Sequence, residues 1–146
     1  MTLRSQVQLK IRKPIAQVFD AVVDHRKLSG YFLETSTGPL APGATVMWKF
    51  PELDESFPVV GREVVPHERL VFEWGSMLGG PDNRVEFVFK PMNGEETMVQ
   101  VTESGWPDTA EGVKASQGNA GGWMFMLTAL KGYLEYGINL RAGGLF

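Results

Sequence analysis

Apolar and polar residues alternate along Val7-Gln8-Leu9-Lys10-Ile11, the period of a half-buried strand. From Pro14 the period lengthens. Ile15, Val18, Phe19, Val22 and Val23 fall at i, i+3, i+4, i+7 and i+8, which predicts an amphipathic helix over 14–24 with Pro14 at its first position. A short helix or turn is expected over 25–30. Between Tyr31 and Glu103 the period is two, broken by clusters of Gly, Pro, Asn and Asp, the pattern of an antiparallel meander of five or six strands. The strands are placed at Phe32-Leu33, 46–50, 59–65, 70–74, 84–90 and 97–103. Asn93-Gly94 marks the turn between the last two. Further on, Asp108 and Glu111 resemble a capping box for a short helix ending near Gly118, after which Asn119 caps a long helix reaching about Asn139. On that helix Trp123, Met126, Leu127, Leu130, Tyr133 and Leu134 share one face.

The order of strand, helices, antiparallel sheet and long helix predicts an α+β fold in one domain covering residues 1–146. Alternation places Val46, Trp48 and Phe50 on one face of their strand, Leu70, Phe72 and Trp74 on one face of the next, and Val85, Phe87 and Phe89 on a third. A sheet face so rich in rings needs a cover, and the C-terminal helix is the long amphipathic element available. A straight rod does not follow a curved sheet along its whole length, so a cavity is expected between them. Its sheet side would be lined by Trp48, Phe50, Phe72, Trp74, Phe87 and Phe89, with Val101, Glu103 and Trp106 from the last strand. Its helix side would be lined by Trp123, Leu127 and Leu130. Trp74 and Trp106, beside Gly-rich loops, are placed at the mouth. Most single rings at such spacing are simply core; the functional reading rests on the set.

Composition narrows the functions. A chain of 146 residues with 43% hydrophobic content buries a full core without disulfides or metal. There is no Cys, which removes disulfide scaffolds, thiol nucleophiles and Cys-based zinc sites, and fits a reducing compartment. The 14 basic and 17 acidic residues leave a net charge of −3, and the longest basic grouping is His25-Arg26-Lys27, so a nucleic-acid partner is not expected. The opening residues lack the apolar stretch of a signal peptide, and no run approaches a membrane span, so a cytoplasmic protein without membrane insertion is expected. His25 and His67 are the two histidines and do not pair at ligand spacing. No nucleophile elbow or phosphate-binding glycine motif is present, so neither metal nor cofactor is expected.

Glu103 is the candidate catalytic group. It shares a strand face with Val99 and Val101, and on an internal face it would reach the cavity as an acid or base; the competing reading is a strand-end carboxylate in water. Arg62 and Arg84 are candidate partners. Gly118 to Gly122 reads as a closely packed junction in preference to an anion site. Met77 and Leu78, set among glycines, are expected to form a lid over the cavity mouth. Phe125, Ala129, Gly132 and Tyr136 form a second stripe on the long helix, the face expected to meet a second copy in a homodimer.

Several stretches resemble a known family. Lys13-Pro14-Ile15-Ala16-Gln17-Val18-Phe19-Asp20-Ala21 is similar to the opening of its first helix, and 61–74 to its central hairpin. Val99 to Trp106 resembles its last strand, and Gly122-Trp123 with Leu127, Leu130 and Tyr133-Leu134 its C-terminal helix. The family is the single-domain relatives of the C-terminal domain of the Hsp90 ATPase activator, within the START/Bet v 1-like superfamily, and residues 7–139 carry the likeness. The resemblance implies a helix-grip fold, a curved antiparallel sheet wrapped around the last helix, and binding of a small hydrophobic molecule such as a lipid, polyketide or aromatic metabolite. It also implies two alternatives, an enzyme of the polyketide cyclase or dehydratase type using Glu103, and an Hsp90-type chaperone co-factor.

Overall fold

The computed structural model describes residues 2–76 and 78–145. Strand β1 (Thr2–Ile11) leads into helices α1 (Ile15–Val23) and α2 (His25–Leu28). Six further strands follow, β2 (Thr35–Ser36), β3 (Thr45–Lys49), β4 (Phe57–Val65), β5 (Arg69–Trp74), β6 (Asn83–Met92) and β7 (Glu96–Pro107), and then helix α3 (Ala110–Tyr136). The strands form one antiparallel sheet in the order β1-β7-β6-β5-β4-β3-β2, with the first strand returning beside the last. The arrangement is the expected helix-grip fold. Alternation sets its inner face: Val99, Val101 and Glu103 of β7, Val85, Phe87 and Phe89 of β6, and Leu70 and Phe72 of β5 are all buried. Helix α3 covers them with Trp123, Met126, Leu127 and Leu130, packing chiefly on β1 and β7.

Four local expectations are corrected. Phe32 and Leu33 are not a strand: their N–H groups donate to Leu28 O in the turn after α2, and pairing with β3 starts at Thr35. Pro14 is the N-cap of α1 and stands one position before its first helical residue. The final helix does not break at Gly118. It runs 27 residues from an N-cap at Thr109, whose hydroxyl accepts from Gly112 N, so neither Asp108 nor Asn119 caps it. Packing of its apolar face on the sheet outweighs the roughly 1 kcal/mol that each interior glycine costs. Trp106, expected at a strand end by the mouth, lies inside β7. A bulge opposite Leu3 and Arg4 adds Gly105 to the strand, so Trp106 pairs with Leu3 on the inner side, buried. Gly105 holds φ +128°, a value that L side chains rarely adopt.

The tail beyond α3 folds back. Gly137 closes the helix in the left-handed conformation, and the side chains of Ile138 and Leu140 lie against Gly132. The second stripe is therefore not a free face: Ala129 and Gly132 are buried within the chain, while Tyr136 is 63% exposed. Of the four residues expected to meet a second copy, Ala129 and Gly132 are thus covered within the chain, while Phe125 is half-buried and Tyr136 exposed.

Candidate functional site

Glu103 is internal, at 1% exposure, on the inner face of β7. Four N–H donors converge on it. Oε1 accepts from Trp123 Nε1 at 2.8 Å and Asn119 Nδ2 at 2.9 Å; Oε2 accepts from Trp74 Nε1 at 2.8 Å and Asn83 Nδ2 at 3.0 Å. Two donors per oxygen fill the lone-pair positions of a carboxylate. Among the described residues no Lys or Arg pairs with it, so Arg62 and Arg84 are not its partners: Arg62 pairs with Glu73, and Arg84 lies near Glu63 and Glu86. The donors come from β5, β6 and two successive turns of α3, so one buried side chain fastens the helix to two strands beyond its own. Asn119 reaches Glu103 because it lies one turn before Trp123 on the same helix face.

The indole rings of Trp74 and Trp123 stack with centroids 5.2 Å apart at 28°, and their other sides form part of an opening. A partly open cavity of about 180 Å³ lies there, lined by Phe32, Phe50, Trp74, Asn119, Gly122, Trp123, Phe125, Arg141 and Leu145. It sits where the ends of β3 and β5 diverge from the middle of α3, and the C-terminal tail supplies one wall. Gly122 borders it, and a Cβ built there would meet open space. Arg141, 8% exposed, lies with its guanidinium 4.8 Å from the Phe50 ring centroid and 5.6 Å from that of Phe32. Its Nε and Nη2 bond Glu52, and this hydrogen bonding holds the Glu52 carboxyl below its ordinary value against the opposing effect of burial.

Of the residues expected to line a cavity, Phe50, Trp74 and Trp123 border this one, and Glu103 lies behind them. Trp48, Phe72, Phe87, Phe89, Val101, Leu127 and Leu130 fill the interior instead, in a ring cluster that includes Trp48–Phe72 at 5.2 Å and Phe87–Trp123 at 5.6 Å. Trp48 Nε1 is sealed without a hydrogen-bond partner. Around these residues the large rings pack against one another, and the aromatic cavity lies at one end of them. Of the expected lid, Met77 lies outside the described residues. Leu78, 44% exposed, borders a separate surface depression with Gly79, Gly80 and Pro81, away from the aromatic cavity. Asn83, Asn119, Phe32, Phe125, Arg141 and Leu145 are site residues that the sequence reading did not assign to the cavity. Among the described residues no cluster of His, Cys, Asp or Glu is arranged to hold a metal, and no helix is long and apolar enough to cross a membrane.

Comparison with known proteins places this geometry. The family model described as activator of Hsp90 ATPase homolog 1-like protein matches residues 12–135. The crystal structure of protein SSP2350 from Staphylococcus saprophyticus superposes with a TM-score of 0.82 at 26% identity, covering 99% of this chain and 100% of that one. DynU16, a protein in the dynemicin biosynthetic locus, gives 0.80 at 25% identity over 92% of this chain and 48% of its own. The Aha1 dimer from Colwellia psychrerythraea shares the fold with a TM-score of 0.77 at 16% identity, over 92% and 98% of the two chains. No curated protein matches the chain.

Proposed function

The chain belongs to the activator of Hsp90 ATPase homolog 1-like family, and from that premise we propose that it binds a small apolar molecule, about one aromatic ring in size, in the cavity between the sheet and α3. The observation that carries this reading is the lining itself, five aromatic rings around about 180 Å³ with an open side at Gly122. An engineered apolar cavity of roughly 150 Å³ takes up benzene, so a ring with a short substituent matches the space. Ligand pockets for drug-sized molecules are larger, about 300–1,000 Å³, so a lipid or multi-ring polyketide would fit only with part of it outside the walls.

Glu103 supports the binding reading over the catalytic one. As a base it would have to release one of four donors that already fill its oxygens, and the two indole N–H groups needed to stabilise a developing charge are turned toward it. Its role here is to hold Trp74 and Trp123 in place as the cavity wall. The family name refers to a chaperone ATPase; stimulation of such an ATPase would draw on the exterior and needs no cavity.

The test is a titration of the isotope-labelled protein with p-cresol, followed at the indole N–H resonances. Saturable shifts at Trp74 and Trp123, lost in Gly122→Leu, are expected. Absence of saturation up to the solubility limit overturns the reading.

A further inference from the structure

We propose that Arg141 is a specificity-determining residue of the cavity and selects ring ligands that carry a carboxylate; this deepens the binding reading above and rests on it. Apart from Asn119 the other walls are aromatic, aliphatic or glycine, and Arg141 is the one charged residue among the described lining residues. The indole N–H groups of Trp74 and Trp123 are spent on Glu103, as is one N–H of Asn119. Strong donors for a bound molecule therefore come from the guanidinium.

Glu52 engages the Nε and Nη2 edge of that group. Nη1 has no hydrogen bond among the described residues. Arg141 itself is 8% exposed and borders the cavity. The guanidinium is also fixed in place, held over Phe50 and Phe32 on its face and by Glu52 on its edge. A planar, pre-oriented fork is the arrangement that recognises carboxylates, and the ring stacking lowers the cost of ordering it. Because Glu52 offsets the charge of Arg141, the cavity accepts an anion through directed N–H bonds more than through net field, so the carboxylate has to stand where the ring places it, one short linker away.

The experiment compares 3-phenylpropanoate with 3-phenylpropanamide, matched in shape and differing in charge, by the same indole resonances. In the unaltered protein the carboxylate is expected to bind about tenfold tighter than the amide. In Glu52→Gln/Arg141→Gln, which removes both charges so that neither is buried alone, the two ligands are expected to bind within about twofold of each other. Arg141→Lys, which keeps the charge and loses the fork, is expected to lose most of the preference and guards against misfolding of the double variant. Equal affinities in the unaltered protein, or a preference that survives both variants, overturn the role of Arg141 while leaving the cavity reading intact. Failure of both ligands and of p-cresol to bind overturns the cavity reading and this inference with it.

Discussion

Trp123 Nε1 donates to Glu103 Oε1 at 2.8 Å, joining the middle of the C-terminal helix to the last strand deep inside the protein. Trp74 does the same from β5 on the other oxygen. A carboxylate held only by neutral donors is an expensive group to bury, and it persists because every donor is in place. Its consequence is positional: the N–H edges of two indoles already packed among other rings are fixed on one carboxylate, and the two rings stack on each other beside the cavity.

Replacing Glu103 by Gln substitutes an NH₂ group for one oxygen and sets it against two N–H donors. The expected loss is about 2–4 kcal/mol of folding stability, read by denaturant unfolding, with weakened near-ultraviolet dichroism from the two indoles. A variant as stable as the parent would mean that the four hydrogen bonds are not made.

Gly122→Leu moves stability and binding in opposite directions. Removing an interior helix glycine with open space at its Cβ is expected to stabilise by about 0.5–1 kcal/mol, while the new side chain blocks the cavity mouth. Gly121→Ala, also in open space but off the lining, is the control: stabilised to a similar extent with ligand affinity unchanged.

Gly105→Ala is expected to destabilise by about 1–3 kcal/mol. The φ of +128° strains any side chain, and a Cβ would stand 2.5 Å from Asn83 Oδ1. Displacing Asn83 removes one of the Glu103 donors, so Gly105→Ala combined with Glu103→Gln should cost less than the two changes summed in a double-mutant cycle.

Acid stability depends on Glu135, near the end of α3, whose side chain is 3% exposed. Burial alone would raise its pKa, but hydrogen bonds from the backbone and side chain of Arg12 and from Lys131 outweigh that and lower it from 4.5 to about 2. A folded-state value below the unfolded one contributes stability that is complete above about 4.5 and lost as pH falls through about 2. Glu135→Gln is expected to be less stable at pH 7 by about 2 kcal/mol and to show a flatter stability profile between pH 5 and 2 (roughly the window that linkage assigns), measured by thermal unfolding across that range.

Much of this was legible in the chain. Alternation placed Glu103 beside Val99 and Val101, and helical periodicity placed Trp123 on the buried face, because burial of a sheet face and a helix stripe imposes those periods directly. Asn119 was readable too, one turn before Trp123, but the glycine beside it resembled a helix break, and local propensity there is overruled by packing. Asn83 continues the inward alternation of Val85, Phe87 and Phe89 and was hidden by one residue of strand boundary. The bulge at Gly105 carried Trp106 off the mouth, and nothing periodic announces an inserted residue. Arg141 and Leu145 lie in an irregular tail whose placement depends on Gly132, Phe50 and Glu52, contacts distant in sequence.

The most direct measurement of the central claim is the set of intermolecular nuclear Overhauser contacts between bound p-cresol and the protein. Contacts from the ring to Phe50, Gly122 and Trp123 are predicted. Contacts confined to the depression at Leu78 to Pro81, or to no defined site, would contradict the account.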